Sequence, residues 1–227
     1  MKQIKTFTKT FTLTVIALLL CSNAMAAMSA NAVAKKVQSL YDRTSSMEAN
    51  FVQTASMKTL SISERDNGIV YMKKDGKIRW EYKSPKEQLI VSNGKKIWFY
   101  MPSDHQVIIG NFEKSFKYKP TQTFLTGMGR ILEDFHVKFS SNKALLTTKN
   151  EYALELTPKK YYDGAPAKIL LAVDKKDYLI LKSVVVDKFD NVTEIDFKNI
   201  KLNTTMPDTL FTFTPPKDVE IIHSPGQ

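Results

Sequence analysis

The sequence predicts a mainly β (α+β) fold, on two observations. Apolar side chains recur at helical spacing in residues 29–47, and beyond them the apolar period falls to two. Short polar turns such as Asp75-Gly76 and Asn93-Gly94 then separate one predicted strand from the next. Because such turns join strands directly, we expect an antiparallel sheet whose strands pair in chain order.

The predicted helix begins near a capping residue, Ser29 or Asn31, and carries one apolar stripe. Met47 ends the segment. The stripe consists of Val33, Val37, Leu40 and Tyr41.

Strands are predicted wherever bulky apolar residues alternate with polar ones. The clearest case is 77–83, where Ile78, Trp80 and Tyr82 share one face and charged residues occupy the other. The other predicted strands are 68–74, 88–92, 95–101, 105–110, 135–140, 144–148, 151–157, 168–174, 178–188 and 191–202. The segment 120–132 interrupts this series with helical spacing, which fits either a plug or lid or an ordinary packing helix.

Several predicted strands are apolar on both faces, as in Ile97-Trp98-Phe99-Tyr100-Met101. In an antiparallel sheet with one solvent-exposed face, apolar and polar residues alternate along each strand. Because these strands do not alternate, both faces of the sheet need to be covered. A β-sandwich or a small closed barrel would meet this need. A strongly curved sheet that encloses helices, with room for an apolar ligand, is the other solution.

The first 26 residues have the pattern of a secretory signal peptide: a basic start, an apolar run from Phe11 to Leu20, and Ala24-Met25-Ala26 before the cleavage site. Cleavage would leave residues 27–227 as a single domain and would remove Cys21, the one cysteine of the chain. The residues before Cys21 lack the small side chain that a lipid-modified cysteine requires. Because the first 26 residues have the pattern of a signal peptide, we expect an exported protein.

Catalytic and metal-binding patterns are missing from the sequence. The three histidines, His105, His136 and His223, form no HExxH motif, and there is no G-x-S-x-G elbow. The formal net charge is +10, but the lysines are spread along the chain, and export argues against a nucleic-acid ligand. We expect no enzyme activity and no cofactor or metal.

One block of sequence resembles a known family. It comprises 77–82, Pro85, 88–102 and Gln106-Val107. With Phe51-x-Gln53, Leu125-x-Gly127, Phe135 and the C-terminal 211–219, it resembles the outer-membrane lipoprotein carrier family LolA.

The resemblance implies an open antiparallel β half-barrel covered by short helices that form a lid or plug. It also implies a periplasmic chaperone that takes acylated lipoproteins from an inner-membrane ABC transporter and delivers them to an outer-membrane receptor, as a monomer. Two alternatives stay open on the same fold. One is a lipid-binding envelope sensor or scaffold, and the other is the outer-membrane receptor itself.

The resemblance also assigns residues to the cavity and to its lid. The cavity residues are Tyr41, Met47, Phe51, Ile78, Trp80 and Tyr82, and the lid residues are Phe124, Leu125 and Met128. Many members have an arginine that closes the lid, and Lys74 stands at its position here. Lysine is a point charge without the planar fork of arginine, so closure by Lys74 would differ.

Overall fold

The computed structural model describes residues 28–116, 130–160 and 164–224. Its helices are α1 (Ala30–Arg43), α2 (Phe112–Phe116) and α3 (Ile131–Asp134), with short 3-10 turns at Pro102–Asp104, Lys143–Leu145 and Asp208–Phe211. The strands are β1 (Ser46–Met57), β2 (Ile62–Lys73), β3 (Lys77–Ser84), β4 (Gln88–Asn93), β5 (Lys96–Met101), β6 (Gln106–Asn111), β7 (Phe135–Phe139), β8 (Glu151–Pro158), β9 (Lys168–Asp174), β10 (Ile180–Val186), β11 (Val192–Leu202) and β12 (Glu220–His223).

The described strands form one curved sheet in the order β12-β6-β5-β4-β3-β2-β1-β11-β10-β9-β8-β7. The sheet does not close, because β12 and β7 lie at its two ends. The predicted mainly β fold with an open, curved antiparallel sheet is therefore confirmed. Pairing in chain order holds within β1–β6 and β7–β11, but β1 also pairs with β11, which joins the two halves.

Helix α1 lies on one face of the sheet, which we call the inner face. The Ser29 hydroxyl caps the helix by accepting the Ala32 backbone N–H at 3.2 Å. Val33, Val37 and Tyr41 are buried in the main core, as their spacing predicts. The helix ends at Arg43, however, and Met47 belongs to β1, so the predicted segment extended too far.

One strand prediction was wrong, and one strand was missed. Residues 144–148 form a 3-10 turn and a loop, because the Glu151 carboxylate accepts the Thr147 and Thr148 backbone N–H groups at 2.9 and 3.1 Å. Strand β12 was not predicted, and it runs parallel to β6 where antiparallel pairing was expected. Its residues are all exposed, so no burial pattern marks it in the sequence.

The outer face of the sheet has its own apolar covers, which explains the strands that are apolar on both sides. Trp98, on the outer face of β5, packs in a cluster with Phe213 and Val219 of the C-terminal segment. At the other end of the sheet, Leu145 covers Leu170 of β9 in the same way. Of the architectures left open by the sequence, the curved open sheet is the one adopted.

An ion-paired carboxylate fixes the C-terminal segment to the outer face. Asp208 lies 2.6 Å from the Lys73 ammonium and 2.8 Å from that of Lys77. Beside it, Phe211 is fully buried. The two lysines lower the pKa of Asp208 from its usual 3.8 to about 2.

We expect Asp208→Asn to lower the free energy of unfolding by a small, pH-dependent amount. Because the folded-state pKa is lowered, the stabilisation is complete above the ordinary pKa of 3.8 and is lost as the pH falls towards about 2. Denaturant unfolding of both proteins across this range measures the difference, which salt should also reduce since the carboxylate is exposed. A difference that stays constant down to the lowest pH would contradict this prediction.

Candidate functional site

Four aromatic side chains from three strands, β1, β3 and β11, meet on the inner face. We call them the aromatic floor: Phe51, Trp80, Tyr82 and Phe197. The Phe51 ring centroid lies 4.7 Å from that of Trp80 and 5.0 Å from that of Tyr82, both edge to face. Trp80 also lies 6.4 Å from Phe197. Such edge-to-face contacts fix the positions of the rings relative to one another.

Gly68 makes room for the central ring of the floor. It stands directly opposite Phe51 in the β1–β2 ladder. A Cβ at Gly68 would lie 2.8 Å from the Phe51 ring and would overlap the Glu81 carbonyl oxygen of β3. The absence of a side chain therefore permits Phe51 to lie across the sheet while β2 and β3 stay paired.

The apolar inner face continues from Trp80 across β4 and β5. Ile90 stands opposite Trp80, and Phe99 stands opposite Ile90. Both are half-buried and pack against the main core. Sequence reasoning missed these two residues and Phe197. The Asn93-Gly94 turn between β4 and β5 could have identified Ile90 and Phe99 as a pair, because it sets the register that puts them opposite each other.

Most of the predicted cavity residues lie together on this face, but they differ in exposure. Tyr41, Met47, Phe51, Ile78 and Trp80 are buried, whereas Tyr82 is half-buried. All six pack in or against the main core.

Tyr41 connects α1 to the sheet. Its hydroxyl oxygen accepts the Ile180 backbone N–H at 3.3 Å, and burial raises its pKa. The structure thus gives Tyr41 a positioning contact between the helix and β10.

Lys74 follows strand β2, and its side chain contacts the C-terminal end of helix α1. Its ammonium donates to the Asp42 carbonyl oxygen at 3.0 Å, an interaction that suits the negative end of a helix dipole.

The predicted lid residues Phe124, Leu125 and Met128 fall outside the described residues. On the described side of that segment, the Ile131 backbone N–H donates to the Gln38 amide oxygen of α1 at 2.8 Å.

Polar side chains border the aromatic floor on the side of the β1–β2 turn. Gln53 and Asp66 stand opposite each other, one inner-face position beyond the pair of Phe51 and Gly68. The Tyr82 hydroxyl donates to the Gln53 amide oxygen at 3.3 Å. Burial, together with the Asp66 charge, raises the pKa of Tyr82 to about 12. Burial and the nearby Glu64 raise the pKa of Asp66.

Neither a metal cluster nor a membrane-crossing helix was found in residues 28–116, 130–160 and 164–224. No group of three or more His, Cys, Asp or Glu residues within these ranges is arranged to hold a metal ion. No helix in the same ranges is long and apolar enough to cross a membrane. The aromatic floor itself offers apolar contact, bordered by hydrogen-bonding groups and carboxylates.

Comparison with known proteins identifies the family of this chain. The model of the family described as outer membrane lipoprotein carrier protein LolA matches residues 42–214. The outer-membrane lipoprotein carrier protein of Nitrosomonas europaea is 30% identical over 188 residues, covering 83% of this chain and 87% of that protein. The protein of the same name from Legionella pneumophila strain Lens is 30% identical over 190 residues, covering 83% and 89%.

Among solved structures, an uncharacterized conserved protein from Thermus thermophilus has a similar fold. Its TM-score is 0.53 at 15% identity, and the match covers 86% of this chain and 99% of that chain. The family match spans the aromatic floor and nearly all strands of the sheet. This chain belongs to the LolA family of outer membrane lipoprotein carrier proteins.

Proposed function

We propose that the protein is a periplasmic chaperone that binds the acyl chains of lipoproteins on its inner face and carries them to the outer membrane. The observation that carries this proposal is the aromatic floor, which continues into the half-buried Ile90 and Phe99. Family membership supplies the ligand class, because the relatives are named as lipoprotein carriers.

The energetics explain why such a carrier is needed. Burial of one methylene group is worth about 0.8 kcal/mol, so a 16-carbon chain left in water costs roughly 12 kcal/mol. A lipoprotein therefore does not leave a membrane freely. An inner face built of aromatic and aliphatic side chains recovers much of this free energy without a covalent bond.

The proposal includes the route as well as the ligand. The pattern of residues 1–26 supports export to the periplasm. An inner-membrane ABC transporter would supply the lipoprotein and an outer-membrane receptor would accept it, as the family resemblance of the sequence implies. The carrier itself would need no cofactor.

The lid forms a further part of the proposal. Phe124, Leu125 and Met128 supply apolar side chains at helical spacing, which suits a cover for the inner face. Since the Lys74 ammonium donates to the end of α1, Lys74 would act on the lid by holding that helix in place.

We expect Ile90→Glu and Phe99→Glu to reduce lipoprotein uptake at least about tenfold, because each places a charge against the acyl chains. Both side chains are half-buried, so the sheet can accept the change more readily than at the buried Trp80. The measurement incubates the purified mature protein with spheroplasts and quantifies the soluble one-to-one complex with released lipoprotein.

The matched control is Ile221→Glu, on the exposed strand β12, which should leave uptake unchanged. Circular dichroism checks that all three variants are folded. Folded Ile90→Glu and Phe99→Glu proteins with undiminished uptake would contradict the proposed binding surface, and a wild-type protein that forms no soluble complex would contradict the proposed function.

A further inference from the structure

Two turns of the sheet carry exposed apolar side chains, which we call the apolar tip: Met57, Leu60, Ile62 and Phe189. Met57 and Ile62 stand opposite each other at the end of the β1–β2 hairpin, Leu60 lies in its turn, and Phe189 lies in the turn between β10 and β11. Within the described residues, seven large apolar side chains are exposed, and four of them are in the apolar tip. Turn residues are usually polar. Such a concentration of exposed apolar side chains marks an interaction site.

Contacts between the two turns hold the apolar tip together. The Lys58 backbone N–H donates to the Asn191 amide oxygen at 3.2 Å. The Lys58 ammonium lies 2.7 Å from the Asp190 carboxylate. Because both contacts join the β1–β2 turn to the β10–β11 turn, the four apolar side chains belong to one patch.

The backbone of the turn that carries Phe189 is hydrogen-bonded within the turn. The Asp187 carboxylate accepts the Phe189 and Asn191 backbone N–H groups at 2.7 and 2.9 Å. The Asp187 carbonyl oxygen accepts the Asp190 backbone N–H at 3.2 Å. A segment that enters lipid must pair its backbone polar groups internally, because lipid tails offer no hydrogen-bond partner. For these three N–H groups the turn meets that requirement.

The charges beside the apolar tip also suit a lipid surface. The charged residues of the two turns are Lys58, Asp187, Lys188 and Asp190, and their charges sum to zero. The Lys188 ammonium lies 5.2 Å from the centroid of the Phe189 ring, so the ring can enter lipid while the ammonium stays among the headgroups. The whole chain has a formal net charge of +10, so an anionic membrane attracts it.

The size of the apolar tip favours a membrane over a protein partner. Leu60 is 62% exposed, and the four side chains together expose on the order of a few hundred Å². A specific protein–protein interface buries about 800 Å² on each partner and requires complementary shapes. Lipid has no fixed shape, so side chains that project from a turn can enter it one by one.

We propose that the apolar tip is a membrane-docking element that inserts into the headgroup region of a phospholipid bilayer. This inference goes beyond the proposed function and does not depend on it. Met57 and Ile62 share the inner face with Phe51, because residues an even number apart point the same way along a strand. Six residues span about 20 Å, so a docked tip brings the aromatic floor to within about that distance of the bilayer.

The test measures binding of the purified mature protein to vesicles of phosphatidylethanolamine and phosphatidylglycerol, by co-sedimentation and without lipoprotein. The double variant Leu60→Ser/Phe189→Ser removes the two most exposed apolar side chains of the tip. We expect it to lower the partition coefficient at least about tenfold. In a second measurement, Phe189→Trp should show a blue shift of its fluorescence when vesicles are added, because the indole ring leaves water.

The matched controls lie on strand β12, whose Ile221 and Ile222 are also exposed. Ile221→Ser/Ile222→Ser should bind vesicles as the wild-type protein does, and Ile221→Trp should show no blue shift. Circular dichroism checks that every variant is folded. The inference is overturned if the wild-type protein does not bind vesicles, if the tip variant binds them equally well, or if the β12 variant loses as much.

A tip variant that keeps vesicle binding but no longer delivers lipoprotein would assign the tip to a protein partner and would also overturn the inference. Since the vesicle measurements contain no lipoprotein, their failure leaves the proposed function intact. Conversely, a carrier that binds vesicles but takes up no lipoprotein from spheroplasts would contradict the proposed function alone.

Discussion

Replacement of Phe51 by alanine should lower the free energy of unfolding by about 3–5 kcal/mol, the largest effect that we expect for a single substitution. The Phe51 side chain is 1% exposed and contacts both Trp80 and Tyr82 edge to face. Its loss would leave a cavity that the surrounding side chains cannot fill, because β3 holds both Trp80 and Tyr82 in place. Guanidinium unfolding followed by circular dichroism measures the change.

The exposed Phe189 provides the control for this substitution. Its side chain is 64% exposed in the turn between β10 and β11, so Phe189→Ala should change stability by no more than about 0.5 kcal/mol. If the two variants were equally stable, the aromatic floor would not be a rigid part of the core. The proposal that acyl chains bind on this floor would then lose its structural basis.

Replacement of Gly68 by alanine should lower the free energy of unfolding by about 3 kcal/mol, because a single methyl group meets backbone on one side and an aromatic ring on the other. The added Cβ would overlap the Glu81 carbonyl oxygen and lie 2.8 Å from the Phe51 ring. Either β3 must move away from β2 or Phe51 must leave its rotamer. Thermal and denaturant unfolding both report this loss.

Gly164→Ala separates steric overlap from backbone strain. Gly164 has a φ of +82°, but a Cβ there meets no atom within 4 Å. The expected cost is therefore only the left-handed conformation of an alanine, about 1 kcal/mol. A Gly68→Ala protein no less stable than Gly164→Ala would show that β2 and β3 have more freedom than the structure indicates.

Local patterns were sufficient for much of the fold. The alternation of Ile78, Trp80 and Tyr82 correctly predicted the inner face of β3, because adjacent side chains of a strand point to opposite faces. The turn residues Asp75-Gly76 and Asn93-Gly94 correctly separated the strands on either side. In both cases the information lies within a few residues of the position that it determines.

Long-range pairing was not visible in this way. Phe197 joins the aromatic floor only because β1 pairs with β11, far away in the sequence, and no turn specifies that register. Strand β12 binds the edge of β6 through its backbone, so its side chains carry no burial signal. Gln53 and Asp66, which border the floor beside Tyr82, were not predicted as site residues for a similar reason, since the three side chains meet only when three strands are aligned.

The open edges of the sheet determine how easily the inner face can widen. A closed barrel has a bore fixed by its strand number and shear, and widening it would break a row of backbone hydrogen bonds. Here no hydrogen-bonded ladder joins β12 to β7. A small change in twist at each of the other strand pairs can therefore move these two edge strands apart. The backbone hydrogen bonds between paired strands are retained in such a change. The width of the inner face can thus change at little cost in stability.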